Sequence, residues 1–302
     1  MNAAPKGASL PLSARLLRSY LRSNLRGRTR LTFFLARNLK SLHAVPVVIA
    51  DQSPVYVDMR LGHSHELLKN SPYEIAPWEV GEQKVMRRVV ARGDVAFDVG
   101  ANIGLHTTML SQLVGAGGKV YAFEPNAGLL PTLGLTVEAL DNSTLYPFAL
   151  SDQALESVLF VPEDQSMASL ADWTGGRVGK RLELPCQQHR LDDLIEAGMV
   201  APPTFIKCDV EGAELSVFRG GIKALDRPDA PIILFEANVH TARAFGLTVS
   251  STMDFLANLE PPRFKFFEVG AEGELTPIVT ANPVHSNILA VPASKMHRLP
   301  EI

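Results

Sequence analysis

Cysteine is nearly absent: the 302-residue chain holds two, Cys186 and Cys208. Two thiols without the paired spacing of a zinc site form neither a disulfide framework nor a metal knuckle, so a reducing, cytoplasmic setting is expected. No apolar run approaches the roughly 18 residues that a membrane-spanning helix needs. The phosphate-cradling pattern G-x-x-x-x-G-K-[ST] is missing, because the stretch from Gly115 to Lys119 has Leu113 where the first glycine belongs. Also missing is the G-x-G-x-x-G fingerprint that admits a pyrophosphate, which weighs against nicotinamide nucleotides and against an NAD-dependent oxidoreductase, the rival enzyme reading. Acidic residues are lacking from the start of the chain, where nine Lys and Arg precede Asp51; 20 basic and 32 acidic residues make up the rest. Aromatics amount to 7%, and with an acidic main body this argues against a nucleic-acid partner.

What is present is a globular composition, 46% hydrophobic with a net charge of −3. It predicts a basic amino-terminal extension over residues 1–46 and one main domain over 47–302. In the extension Arg15, Arg18, Arg22 and Arg26 recur at helical spacing, Gly27 breaks the helix, and a second apolar stretch runs from Leu31 to Ala36. Three uses stay open for it: a helix packed on the domain, a basic amphipathic helix on an anionic membrane surface, and a targeting segment. The second, taken to its limit, makes the chain a non-catalytic, membrane-surface cofactor-binding module.

The most informative stretch is Val95-Ala-Phe-Asp-Val-Gly-Ala-Asn-Ile-Gly104, followed by Ala122-Phe-Glu-Pro125. An apolar strand ends in Asp98, a turn with Gly100 and Gly104 feeds a helix, and a second strand ends in Glu124. In open parallel sheets ligands bind at that strand edge, and a second-strand acid accepts hydrogen bonds from ribose hydroxyls. The spacing G-x-x-x-G leaves less room for phosphate. A ribose-bearing cofactor with an ammonium group, S-adenosylmethionine, is expected.

These residues, with Ala149-Leu-Ser-Asp152, Leu191-Asp-Asp193, and Ile206-Lys-Cys-Asp-Val-Glu-Gly212 followed by Glu214, resemble the FkbM-type S-adenosylmethionine-dependent methyltransferases. The resemblance covers roughly residues 75–292; Cys208 departs from the apolar residue usual there. It implies a Rossmann-like class I methyltransferase fold of the α/β class, with a seven-stranded, mostly parallel sheet whose last strand is antiparallel. It further implies that Asp98, Gly100, Asn102, Gly104 and Glu124 hold the cofactor, with Ser151 or Asp152 at the adenine amino group.

The remaining pattern agrees with alternating strands and helices. Helices are expected over Trp78–Ala91, Leu105–Val114 and Leu129–Leu140, and strands over Lys119–Phe123, Thr144–Ala149, Phe205–Asp209, Ile232–Glu236, Phe264–Val269 and Asn287–Val291. Residues 47–74 read as short strands and turns. Alternation fails at 157–185, an insertion in which Ser166, Ser169 and Trp173 are candidates to touch an acceptor.

Methyl transfer demands positioning and removal of the acceptor's proton. Asp209, Glu211 and Glu236, at the ends of the fourth and fifth core strands, are the catalytic candidates, with His240 and His106 as weaker possible bases. Glu214 reads as a first-turn acid facing the helix dipole. No dedicated metal-ligand pattern appears, and no metal is expected. The function expected is O-methylation of a hydroxyl on a sugar or small natural product, with a small-molecule or glycan acceptor.

Overall fold

The computed structural model describes residues 9–23, 25–49, 53–73, 75–76, 79–174, 181–282 and 284–299. At the amino end, helices α1 (Leu12–Arg22), α2 (Arg28–Asn38) and α3 (Gly62–Asn70) surround a ribbon of β1 (Val45–Val47) and β2 (Val55–Val57). The expected helix through Arg26 stops at Arg22, and Gly27, in the left-handed region, opens α2 instead. Helix α3 was unexpected: Gly62-His-Ser-His gives it a polar, glycine-led start with no cap signal.

Beyond this unit the chain alternates. Helix α4 (Val80–Val89) leads into β3 (Val95–Val99), α5 (Leu105–Val114), β4 (Lys119–Phe123), α6 (Leu130–Glu138) and β5 (Ser143–Tyr146). Strands β6 (Ala149–Leu150), β7 (Leu155–Val161) and β8 (Leu182–His189) precede α7 (Leu191–Glu196), β9 (Phe205–Cys208), α8 (Glu214–Gly220) and α9 (Ile222–Leu225). The chain closes with β10 (Ile232–Asn238), α10 (Val239–Ala244), α11 (Ser251–Ala257), β11 (Lys265–Val269), β12 (Leu275–Ile278) and β13 (His285–Val291).

The main sheet has eight strands in the order β12-β11-β13-β10-β9-β3-β4-β5, rather than the seven expected. Strands β10, β9, β3, β4 and β5 run parallel, and β13 lies antiparallel between β10 and β11. The additional strand β12 is four residues long and contains Pro277, which a strand tolerates only at an edge. The buried run Phe205-Ile-Lys-Cys and the equally apolar Ile232 to Phe235 have the two-sided burial that parallel central strands require. Phe97, Phe123, Ile206, Phe218 and Phe235 anchor the core on one side of this sheet.

The expected strand Thr144–Ala149 divides in two. Pro147 interrupts it, and Ala149–Leu150 joins β8 and β7 in a separate three-stranded sheet. The 157–185 insertion contributes most of β7 and the first part of β8 to that sheet. Trp78 and residues 175–180 lie outside the described residues.

Apolar packing runs across residue 46. Ala14, Leu17, Leu21 and Ala36 share one apolar cluster with Val45, Val57, Leu68, Ile103 and Leu129. The first helices bury their inner faces against α3, each other and the Lys40–Leu42 turn, while β2 of the same cluster packs on α6.

Candidate functional site

A cavity of about 630 Å³ opens at the carboxyl ends of β3, β4 and β9, in the size range of small-molecule sites. Strand order reverses here, because β4 and β9 flank β3 on opposite sides. Its walls come from three regions: the strand ends, His63 and Glu79 from the amino-terminal side, and residues 164–166 and 168–170 from the insertion.

The turn after β3 is held from within the protein. Gly100 has φ +83°, and a Cβ there would lie 1.8 Å from the Asp209 carbonyl oxygen. Gly104 has φ +87°, and its Cβ would fall 2.8 Å from Thr136 Cγ2 and 2.9 Å from Leu133 Cδ1. Both positions need glycine, but for the approach of β9 and of α6 rather than of a ligand. Gly100, Ala101 and Asn102 do line the cavity; Gly104 lies behind its wall.

Glu124 ends β4 and is nearly buried. Its two oxygens accept backbone N–H bonds from Asn102 and Asn126, each at 2.8 Å. Burial pushes its carboxyl up to about 7, against the pull of those two donors. Asp98 is wholly buried one layer behind the wall: Oδ2 accepts from Thr107 Oγ1 at 2.5 Å, and Oδ1 has no partner. Four lining residues carry a buried polar atom without a hydrogen bond, namely His63 Nε2, Asn102 Oδ1, His106 Nε2 and Gln165 Oε1. Buried polar atoms are seldom left so. Their convergence on one cavity marks it as built for a polar ligand.

At the far wall Lys207 Nζ lies 3.1 Å from Asp209 Oδ2. Burial pulls the Lys207 pKa down, but Asp209, Glu79 and Asp98 together more than reverse this, so the ammonium is retained. His106 is buried with Nε2 3.1 Å from Glu79 Oε2, without hydrogen-bond geometry. Burial first, then Lys207, drops it to about 4, leaving a neutral imidazole. Glu211 sits at φ +53°, an unusual conformation for a side-chain-bearing residue. Burial, then Asp209, Glu236 and Glu214, raises its carboxyl to about 9.

Glu236 is off the cavity wall and accepts from His285 Nε2 at 2.9 Å. One carboxyl oxygen each from Asp209, Glu211 and Glu236 nevertheless falls within 4.8 Å of the others. A proton on Glu211 relieves that repulsion; a divalent cation would compete for the same place. Glu214 accepts from Val210 N and Gly212 N, pinning the loop before α8, a structural use in keeping with its position in the first turn.

Ser151 and Asp152 do not face the cavity. Ser151 Oγ donates to Asp152 at 3.3 Å, and Ala149 and Leu150 form the wall there. Of the insertion candidates, Ser166 and Ser169 line the cavity, and Trp173 turns away, its Nε1 donating to Met167 O. His240 donates its backbone N–H to Asn238 Oδ1, the N-cap of α10, and is not on the wall either.

The methyltransferase FkbM domain model matches residues 98–260. The hexuronic acid methyltransferase AglP of Haloferax volcanii is 30% identical over 201 residues, 63% of this chain and 77% of that protein. The chain belongs to the FkbM methyltransferase family. Methyl transfer from S-adenosylmethionine is accordingly its class of activity, and hydride transfer is set aside. Among solved structures, the chain course resembles precorrin-6y C5,15-methyltransferase from Geobacter metallireducens (TM-score 0.40, 12% identity, 74% of this chain and 93% of that one). It also resembles an rRNA methylase from Streptococcus thermophilus (TM-score 0.39, 11% identity, 70% and 93%). The family model begins at Asp98, so His63 and Glu79 enter this FkbM methyltransferase's cavity from outside the matched segment. No motif marks those two, or Gln165; only the fold brings Glu79 and the unpaired atoms of His63 and Gln165 to the wall.

Proposed function

We propose that the protein is an S-adenosylmethionine-dependent O-methyltransferase acting on a hydroxyl of a sugar or small natural product. The observation that carries this reading is the cluster of unpartnered polar atoms around a cavity whose deep side holds Glu124. The hexuronic acid named for the Haloferax volcanii relative supports a saccharide as acceptor.

When bound, the cofactor supplies a sulfonium methyl group. Glu124 would accept hydrogen bonds from the two ribose hydroxyls, and Gly100 and Asn102 would hold the methionine portion. Asp98 holds their turn through Thr107, and Ala149 with Leu150, on the apolar part of the wall, would take the adenine. Asp209 faces the acceptor and takes its proton, its carboxylate oriented by Lys207 Nζ at 3.1 Å. Glu211, protonated below about pH 9, donates a hydrogen bond rather than serving as a base. Glu236 acts from behind, through the repulsion that keeps this proton in place.

The test is incubation with labelled S-adenosylmethionine and a panel of neutral, amino and uronic saccharides beside fractionated cell extract. A labelled methyl ether supports the reading. A label found only on nitrogen, on carbon or as a carboxyl ester refutes O-methylation of a hydroxyl.

A further inference from the structure

The helices α1 and α2 have used up their inner faces. In α1 the buried positions are Ala14, Leu17 and Leu21; in α2 they are Thr32 and Ala36. The outer faces nonetheless carry large apolar side chains: Leu12 is 66% exposed, Leu16 64% and Phe34 63%. Leu25, in the turn between the helices, and Leu31 are exposed as well. Helical spacing puts Leu12 and Leu16 together, one turn apart, opposite the buried stripe of α1. It likewise places Arg30, Leu31, Phe34 and Arg37 on one face of α2, opposite Thr32 and Ala36.

The charge on these faces is of one sign. No acidic residue occurs before Asp51. Arg22 and Arg28 are engaged with backbone carbonyls, but Arg18, Arg26, Arg30, Arg37 and Lys40 have neither an ion pair nor a side-chain hydrogen bond among the described residues. Cations bordering exposed leucine and phenylalanine make up the composition of helices that lie in a lipid headgroup region, with apolar side chains reaching the acyl boundary. Nucleic acid would draw on the cations and leave the leucines in water.

We propose that the outer faces of α1 and α2 dock on an anionic membrane surface. No described helix is long and apolar enough to cross a membrane, so the contact is peripheral. Its orientation is set by the inner faces, whose Ala14, Leu17, Leu21 and Ala36 belong to the same apolar cluster as Ile103 and Leu129 of the cavity wall.

The test uses the full chain with sedimentable vesicles of phosphatidylcholine alone and of phosphatidylcholine mixed equally with phosphatidylglycerol. Binding is expected to the mixed vesicles only and to fall as salt rises. R30E/R37E and L31S/F34S should each weaken it about tenfold or more, since each surface cation alone is worth about fivefold. Both variants should keep the wild-type melting temperature and S-adenosylhomocysteine affinity. Absence of binding to the mixed vesicles, or variants that sediment like wild type, overturns the proposal. So does retention by single-stranded RNA in place of vesicles, or a shift from dimer to monomer in L31S/F34S, which would make this face a contact between copies.

Discussion

Glu124 decides the cofactor question at the scale of single residues. Its oxygens already accept two backbone bonds, so Glu124→Ala removes both the ribose contact and part of the turn's anchor. S-adenosylhomocysteine affinity should drop about tenfold to a hundredfold, as expected for lost bonds to a charged group, measured by titration calorimetry. Diol hydroxyls donate to the carboxylate form and draw its pKa down from about 7. Binding should therefore release a proton near neutrality and tighten as pH rises from 6 to 7, levelling off above; Glu124→Gln should abolish that slope. At the other wall, Asp209→Asn should lower kcat by about a hundredfold or more while S-adenosylhomocysteine still binds. Equal losses in both would make Asp209 a cofactor ligand instead of a proton acceptor.

Among the elements, the turn between β3 and α5 bears the tightest constraints. Gly100→Ala would set a methyl group 1.8 Å from the Asp209 carbonyl at a left-handed φ, costing about 3 kcal/mol or more. The drop in denaturation midpoint measures it. Much of this region was legible: Asp98, Gly100, Asn102 and Glu124 stand where strand endings and glycine spacing put them. The reason for the glycines was not, because the contacts to Asp209 and to α6 join segments distant in sequence. Ser151 and Asp152 lie off the cavity wall for a similar cause. Pro147 diverts the chain into a second sheet, and this turns Ala149 and Leu150 toward the cavity. Helix α3 and its His63 went unseen since Gly62 and two histidines give no apolar period. His63→Ala and Gln165→Ala should each test whether those unpaired atoms meet cofactor or acceptor, by loss of S-adenosylhomocysteine affinity or a raised acceptor KM.

Across the whole molecule, the carboxyls at Glu124, Glu211 and Glu214 are raised to about 7, 9 and 8. In the folded state they hold protons that the unfolded chain has released, so stability falls as pH rises through those values. Lowered histidines such as His106 act oppositely only below their ordinary 6.5, and Lys295, lowered to about 8, acts oppositely above that. The melting temperature should thus decline between pH 6.5 and 8, less steeply in Glu211→Gln. The alternation of strands and helices was readable from the sequence, but the single apolar cluster that α1 and α2 share with Ile103 and Leu129 was not. Periodicity shows which face of a helix is apolar and leaves open what covers it.

Everything rests on a ribose-bearing sulfur cofactor lying against Glu124. Calorimetric titration of the full chain with S-adenosylhomocysteine and, separately, with NAD tests it most directly. The account predicts saturable heat with the first, weakened in Glu124→Ala, and none with the second; heat with NAD alone would contradict it.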